Sequence, residues 1–231
     1  MKKAPERKNI FEAFYNKLSK PFTSLFLYIN FTPNQITSIS GIFGILGALL
    51  LTMGDYSTNI IAAIFIQIFA ILDVVDGDVA RAKDLQSVRG MWLDIFFDKL
   101  NDFLIISCFT LGVFLKNTNP IILFFGMCLM GINFFIQFIM VLNDHLFKVN
   151  RVVNEDIINS KGDSLSRINY LVGNIVIFYR AHISLQHSQL LVLISFFAII
   201  NKMEFGLYFL SLHGLISLVI SIIINFIKIR N

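Results

Sequence analysis

Six long apolar runs, separated by short polar links and one long polar connection, frame this chain. They predict spanning helices over about 33–53, 59–82, 88–115, 119–143, 184–201 and 205–228. Most are near the ~20 residues that cross a bilayer, and the fifth lies at the short end of the range. Ahead of them, Ile10, Phe11, Phe14, Leu18, Phe22, Leu25 and Phe26 recur at helical spacing among Lys8, Lys17 and Lys20. This pattern predicts a basic amphipathic helix over 8–28 lying on the membrane surface, with an ordinary packed helix as the alternative. Thr32-Pro33-Asn34-Gln35 reads as a helix start, with Thr32 as N-cap, Pro33 in the first turn and Gln35 closing a capping box. The expected architecture is an all-α membrane protein: an amphipathic juxtamembrane segment over 1–32, then a six-helix transmembrane domain over 33–231. The connection 144–183 is polar at first, then carries Ile168, Leu171, Val172, Ile175, Val176 and Ile177 on one side. It predicts a second surface helix or an extension of the fifth span.

Composition agrees with the pattern. Of 231 residues, 56% are hydrophobic and 25 are Phe, with a mean hydropathy of +0.73, which excludes an ordinary soluble domain. No nucleic-acid partner is expected. Cys108 and Cys128 each fall inside an apolar run, so they read as free buried thiols. The first 34 residues are polar and amphipathic and suggest no signal peptide. Richness in Phe, Ile, Asn and Lys suits a low-GC prokaryotic genome, and hence the plasma (inner) membrane. The net charge of +4 says little until it is mapped. With six spans, 16 of the 19 Lys and Arg fall on one side, and only Lys116 and Lys202 on the other. The positive-inside bias then puts both termini in the cytoplasm.

That orientation gives meaning to the polar stretch between the second and third runs. Asp73, Asp76, Asp94 and Asp98 lie at the cytoplasmic end of a predicted helical hairpin, where soluble nucleotides are found. Asp73 and Asp76 are three residues apart and Asp94 and Asp98 four apart, so each pair shares a helix face. Carboxylates at a membrane edge are costly without cations or water, and a functional site is the default reading. An all-oxygen donor set suits Mg²⁺, Mn²⁺ or Ca²⁺ rather than zinc. Gly77, Ala80 and Gly90 keep the same face free of bulk. Small residues let helices approach one another, and they also let a phosphate or nucleotide reach the backbone. Arg81 can pair with a carboxylate or a phosphate, or snorkel to the membrane surface.

Asp73, Asp76, Gly77, Ala80, Arg81, Gly90, Asp94 and Asp98 match the pattern Asp-x2-Asp-Gly-x2-Ala-Arg-x8-Gly-x3-Asp-x3-Asp. In this the chain resembles the CDP-alcohol phosphotransferase family. The resemblance implies transfer of a substituted phosphate from a CDP-alcohol, commonly CDP-diacylglycerol, to an acceptor hydroxyl, with release of CMP. It implies that Asp73, Asp76 and Asp94 hold two divalent ions, Mg²⁺ or Mn²⁺, and that Asp98 joins them while serving as general base. It further implies nucleotide or diphosphate contacts for Gly77, Ala80, Arg81, Ser87, Gly90 and Asn34, and a homodimer in the membrane. The assignment is chemically coherent, because an alcohol is a weak nucleophile that needs a positioned base, and metals neutralise phosphate charge.

Outside the match, Asp102 continues the stripe of Gly90, Asp94 and Asp98 by one more turn, about 6 Å deeper. It is expected to support Lys99 or a metal ligand from behind. Asp78 and Asp84 are expected to face solvent or interfacial bases. Lys148, Arg151, Arg167 and Arg180 cluster in the long connection and would bind an acceptor that carries a phosphate, such as inositol phosphate or glycerol phosphate. Anionic lipid would satisfy the same charges. His145, His182, His187 and His213 show no ligand spacing. Phosphatidylglycerophosphate synthases often have Pro after the third Asp and Ala before the fourth; here those places hold Ile95 and Phe97, and the Gly-x-Trp-Leu-Asp wording resembles branches using inositol phosphate or other polyols. Two rivals remain at this point: a polytopic Mg²⁺-dependent prenyltransferase and a cation transporter with intramembrane carboxylates.

Overall fold

The computed structural model describes residues 10–154 and 187–230. Among them every regular element is helical: α1 (Ile10–Tyr28), α2 (Pro33–Leu51), α3 (Tyr56–Ala82), α4 (Val88–Asn117), α5 (Pro120–Asn154), α6 (His187–Ile199) and α7 (Met203–Arg230).

The helices start where side chains can satisfy orphan N–H groups. Thr32 Oγ1 accepts from the Gln35 N–H, and Gln35 Oε1 accepts from the Thr32 N–H at 2.9 Å, completing the capping box read from sequence. Asp55 caps α3 through the Thr58 N–H, and Ser87 caps α4 through the Gly90 N–H. Three helices stop alike. After α1, α3 and α6, Asn30, Asp84 and Asn201 turn to positive φ. The next N–H then reaches back to the carbonyl of Phe26, Ala80 or Phe197.

α3 is the central helix. It packs most extensively on α2 and also holds α1 and α6, while α5 packs on α7 and α4. Close approach needs small residues. A Cβ at Gly47 of α2 would sit 2.9 Å from Ile66 of α3, and one at Gly112 of α4 would collide with the Leu51 carbonyl. Polar ties bind the packed faces. Gln67 of α3 accepts from the Tyr15 hydroxyl at 2.6 Å and donates to Ser195 Oγ at 2.8 Å, so one side chain joins α1, α3 and α6. Burial raises the Tyr15 phenol above its ordinary pKa, which keeps it a donor.

Large apolar side chains cover the outside, with Met127 74% and Phe226 72% exposed. Water would penalise such a surface, whereas lipid does not. α2, α3, α5 over Pro120–Leu142 and α7 over Met203–Phe226 are long and apolar enough to cross a bilayer. The other two expected spans depart from that standard for physical reasons. α4 has the length, about 45 Å for 30 residues, but its first half carries Arg89, Asp94, Asp98, Lys99 and Asp102. α6 is described over only 13 residues. α5 continues to Asn154, past the expected end at 143. α1 buries Tyr15 and Ser19 against its neighbours while Phe14 and Leu25 stay exposed.

Candidate active site at the α3–α4 hairpin

The four motif carboxylates converge where the C-terminal part of α3 meets the N-terminal part of α4. Asp76, only 5% exposed, accepts from Thr37 Oγ1 of α2 at 2.5 Å. Asp73, Asp94 and Asp98 are half-buried. Among the described residues, no Lys or Arg forms an ion pair with any of the four. Arg81 instead pairs with Asp78 at 2.6 Å on the exposed surface, a contact worth at most about 1 kcal/mol and easily exchanged for a phosphate. Four carboxylates without side-chain cations require another source of positive charge, and they fit divalent metal ions.

A cavity of about 460 Å³ opens on one side of this group. The structure brings all six predicted nucleotide-contact residues to its wall: Asn34 of α2, Gly77, Ala80 and Arg81 of α3, and Ser87 and Gly90 at the start of α4. Asp76 and Asp94 line it too. The glycine matters here, since a Cβ at Gly90 would meet Asn34 Oδ1 at 3.0 Å and Ser87 Oγ at 3.1 Å. Lys83 donates to Asn30 Oδ1 and the Phe31 carbonyl, which ties the turn before α2 to the end of α3.

A second cavity of about 340 Å³ lies on the other side, between α1, α3, α4, α5 and α6. Asp73 lines it, with Glu12, Asn16, Lys99, Gln137 and His187. The carboxylates therefore form a wall shared by two cavities, with Asp76 and Asp94 on one and Asp73 on the other.

Three contributors escaped the sequence pattern. Thr37 reaches Asp76, and Gln137 reaches Asp102, across helix contacts that no local spacing encodes. His187 is the third: its Nδ1 lies 2.6 Å from Asp102 Oδ1, and its Nε2 4.0 Å from Asp98 Oδ1. One ligand atom each from Asp73, Asp98 and His187 lie within 4.8 Å of one another, so the donor set here is not purely oxygen. Asp102, 3% exposed, does stand behind the site, but it holds His187 and Gln137. Of the residues expected to bind an acceptor phosphate, Lys148 and Arg151 sit on α5 where no side chain is described, and Arg167 and Arg180 lie outside the described residues.

Known proteins are similar to this chain in part of the sequence and in the fold. The sequence model for CDP-alcohol phosphatidyltransferase matches residues 30–200. A bifunctional IPC transferase and DIPP synthase of Aquifex aeolicus is 37% identical over 84 residues, 36% of this chain and 19% of that protein. An archaetidylinositol phosphate synthase of Pyrococcus horikoshii is 39% identical over 85 residues, 36% of this chain and 43% of that one. These matches span less than half of either relative. The fold is similar to a phosphatidylinositol phosphate synthase of Mycobacterium tuberculosis with CDP-DAG bound, at a TM-score of 0.61 and 15% identity over 89% of this chain and 92% of that one. The same protein in complex with manganese and citrate gives a TM-score of 0.60 and 16% identity over 89% and 88%.

Proposed function

The chain belongs to the CDP-alcohol phosphatidyltransferase family, and from that premise we propose that it moves a phosphatidyl or similar substituted phosphate from a CDP-alcohol to an acceptor hydroxyl. The observation that carries this reading is the carboxylate wall between two cavities. In this reading the larger cavity takes the CDP moiety. Gly77, Ala80 and Gly90 leave room for it, Asn34 and Ser87 offer polar contacts, and Arg81 leaves Asp78 for the diphosphate. Asp73, Asp76, Asp94 and Asp98 hold two divalent ions, which when bound neutralise the diphosphate and the departing CMP. Asp98 takes the proton from the acceptor hydroxyl. The freed oxygen attacks the phosphorus bearing the lipid, the bond from that phosphorus to CMP breaks, and CMP leaves with the electron pair.

CDP-diacylglycerol is the donor to test first. For the acceptor we infer a phosphorylated polyol, such as inositol phosphate. The second cavity offers Lys99, and Lys148, Arg151, Arg167 and Arg180 follow in the adjoining connection. The relatives named for archaetidylinositol phosphate and phosphatidylinositol phosphate synthesis support this choice. The membrane arrangement belongs to the same proposal: six spans within a catalytic domain over 33–231, an interfacial segment over 1–32, and both termini and the hairpin in the cytoplasm. Membrane lipids, and a second copy of the chain as homodimer, are its remaining partners.

The test is CMP release by the purified protein with CDP-diacylglycerol, Mg²⁺ or Mn²⁺, and a panel of alcohols that includes inositol phosphate and glycerol phosphate. We expect one acceptor to give a lipid product, and Asp98→Asn to lower turnover by ~100-fold or more while the protein stays folded. Full activity in that variant would remove Asp98 as the base. Failure of every CDP-alcohol with folded, metal-binding protein would favour a transporter or a degenerate member of the family.

A further inference from the structure

The site holds a nitrogen that an all-carboxylate metal centre leaves idle. His187 opens α6, 85 residues beyond Asp102 in the chain, and its ring packs edge-on against Phe69 with centroids 5.7 Å apart. Asp102 in turn is fixed by Gln137, which donates to its other oxygen at 2.7 Å. An ionised carboxylate can only accept, so the 2.6 Å contact makes His187 Nδ1 the donor to Asp102. In the neutral ring that tautomer leaves a lone pair on Nε2.

Nε2 then points at nothing that satisfies it. The nearest carboxylate oxygen, Asp98 Oδ1, is 4.0 Å away, too far for a hydrogen bond. Both atoms are buried and both lack a hydrogen-bond partner. Two such acceptors facing each other are costly unless a cation meets them. The spacing suits one: two ligands held at about 2.1 Å from the same ion lie at most about 4.2 Å apart. Asp73 adds a third ligand atom to the group.

We propose that His187 Nε2 is a direct ligand of one of the two divalent ions, together with Asp98 and Asp73, and that Asp102 is its positioning residue. This deepens the transferase reading and rests on its metal centre. A carboxylate behind a ligating imidazole fixes the ring and raises its basicity, which is the arrangement Asp102 and Gln137 provide. A nitrogen ligand also bears on the choice of ion, since imidazole favours transition metals over Mg²⁺. The centre should therefore hold Mn²⁺ more tightly than Mg²⁺, by a margin that depends on His187.

The experiment uses the full-length protein in detergent, loaded with Mn²⁺ and read by pulsed EPR. The expected result is ¹⁴N modulation from a bound imidazole. It should change to the ¹⁵N pattern when the protein is made with ¹⁵N-ring-labelled histidine, which requires no variant to fold. His187→Gln should lose the coupling and His213→Ala should keep it. Mn²⁺ binding should weaken about tenfold or more in His187→Gln and in Asp102→Asn, with a smaller change for Mg²⁺. Bound Mn²⁺ without nitrogen coupling overturns the proposal and leaves the transferase reading intact. Coupling that persists unchanged in His187→Gln also overturns it. If the wild-type protein binds no Mn²⁺, both fail together, and CMP release measured on the same sample identifies that case.

Discussion

The two cavities that share the carboxylate wall are built in opposite ways. The larger one is nearly all local: eleven of its lining residues, from Asp76 to Asp94, come from one hairpin, and only α2 is added from outside. The smaller one draws on five helices, and its lining residues run from Glu12 to Leu191. A locally built pocket is carried by a short sequence signature, whereas a pocket assembled from distant helices depends on how each helix packs. The first suits a part of the substrate that stays constant, and the second a part that varies.

Asp94→Asn should have the largest effect, because that residue serves the wall itself. Turnover is expected to fall by ~100-fold or more in the CMP-release assay, and substantial activity would mean that the wall is not the reaction centre. Gly90→Leu should separate the two sides. It pushes a side chain toward Asn34 and Ser87, so the KM for the CDP-alcohol should rise roughly tenfold or more while the acceptor KM stays put. Lys99→Met is the mirror test. Loss of one charge-assisted contact to an acceptor phosphate should raise the acceptor KM about tenfold and leave the donor KM unchanged. A Lys99 variant that instead affects the donor would show that the cavities have been assigned the wrong way round. Smallest should be Thr32→Ala, which removes the cap at the start of α2. It should cost about 1 kcal/mol of stability, read as a lowered unfolding midpoint.

The same contrast decides what could be read from sequence. The hairpin was legible because its face positions recur every three or four residues within one short stretch. Asp102 was legible as a continuation of that stripe, although its partners were not. Its link to His187 exists only because α6 lies against α3, where Gln67 reaches Ser195 and the Leu191 carbonyl. No periodicity in either helix announces that contact. Thr37 escaped notice for a similar reason, since its register against Asp76 is set by how closely α2 settles on α3. Helix boundaries follow the caps: the Thr32 capping box starts α2 where the sequence places it, while α5 runs on to Asn154 because no Pro or Gly interrupts it after Gly131.

A wall approached from two faces also constrains time and handedness. If the departing CMP lies on one face and the entering hydroxyl on the other, both substrates must be present at once, with no phosphorylated protein in between. Initial-velocity lines should then intersect rather than run parallel. An isotopically chiral phosphorus should emerge with its configuration inverted, and retention would mean that the two cavities are entered in turn.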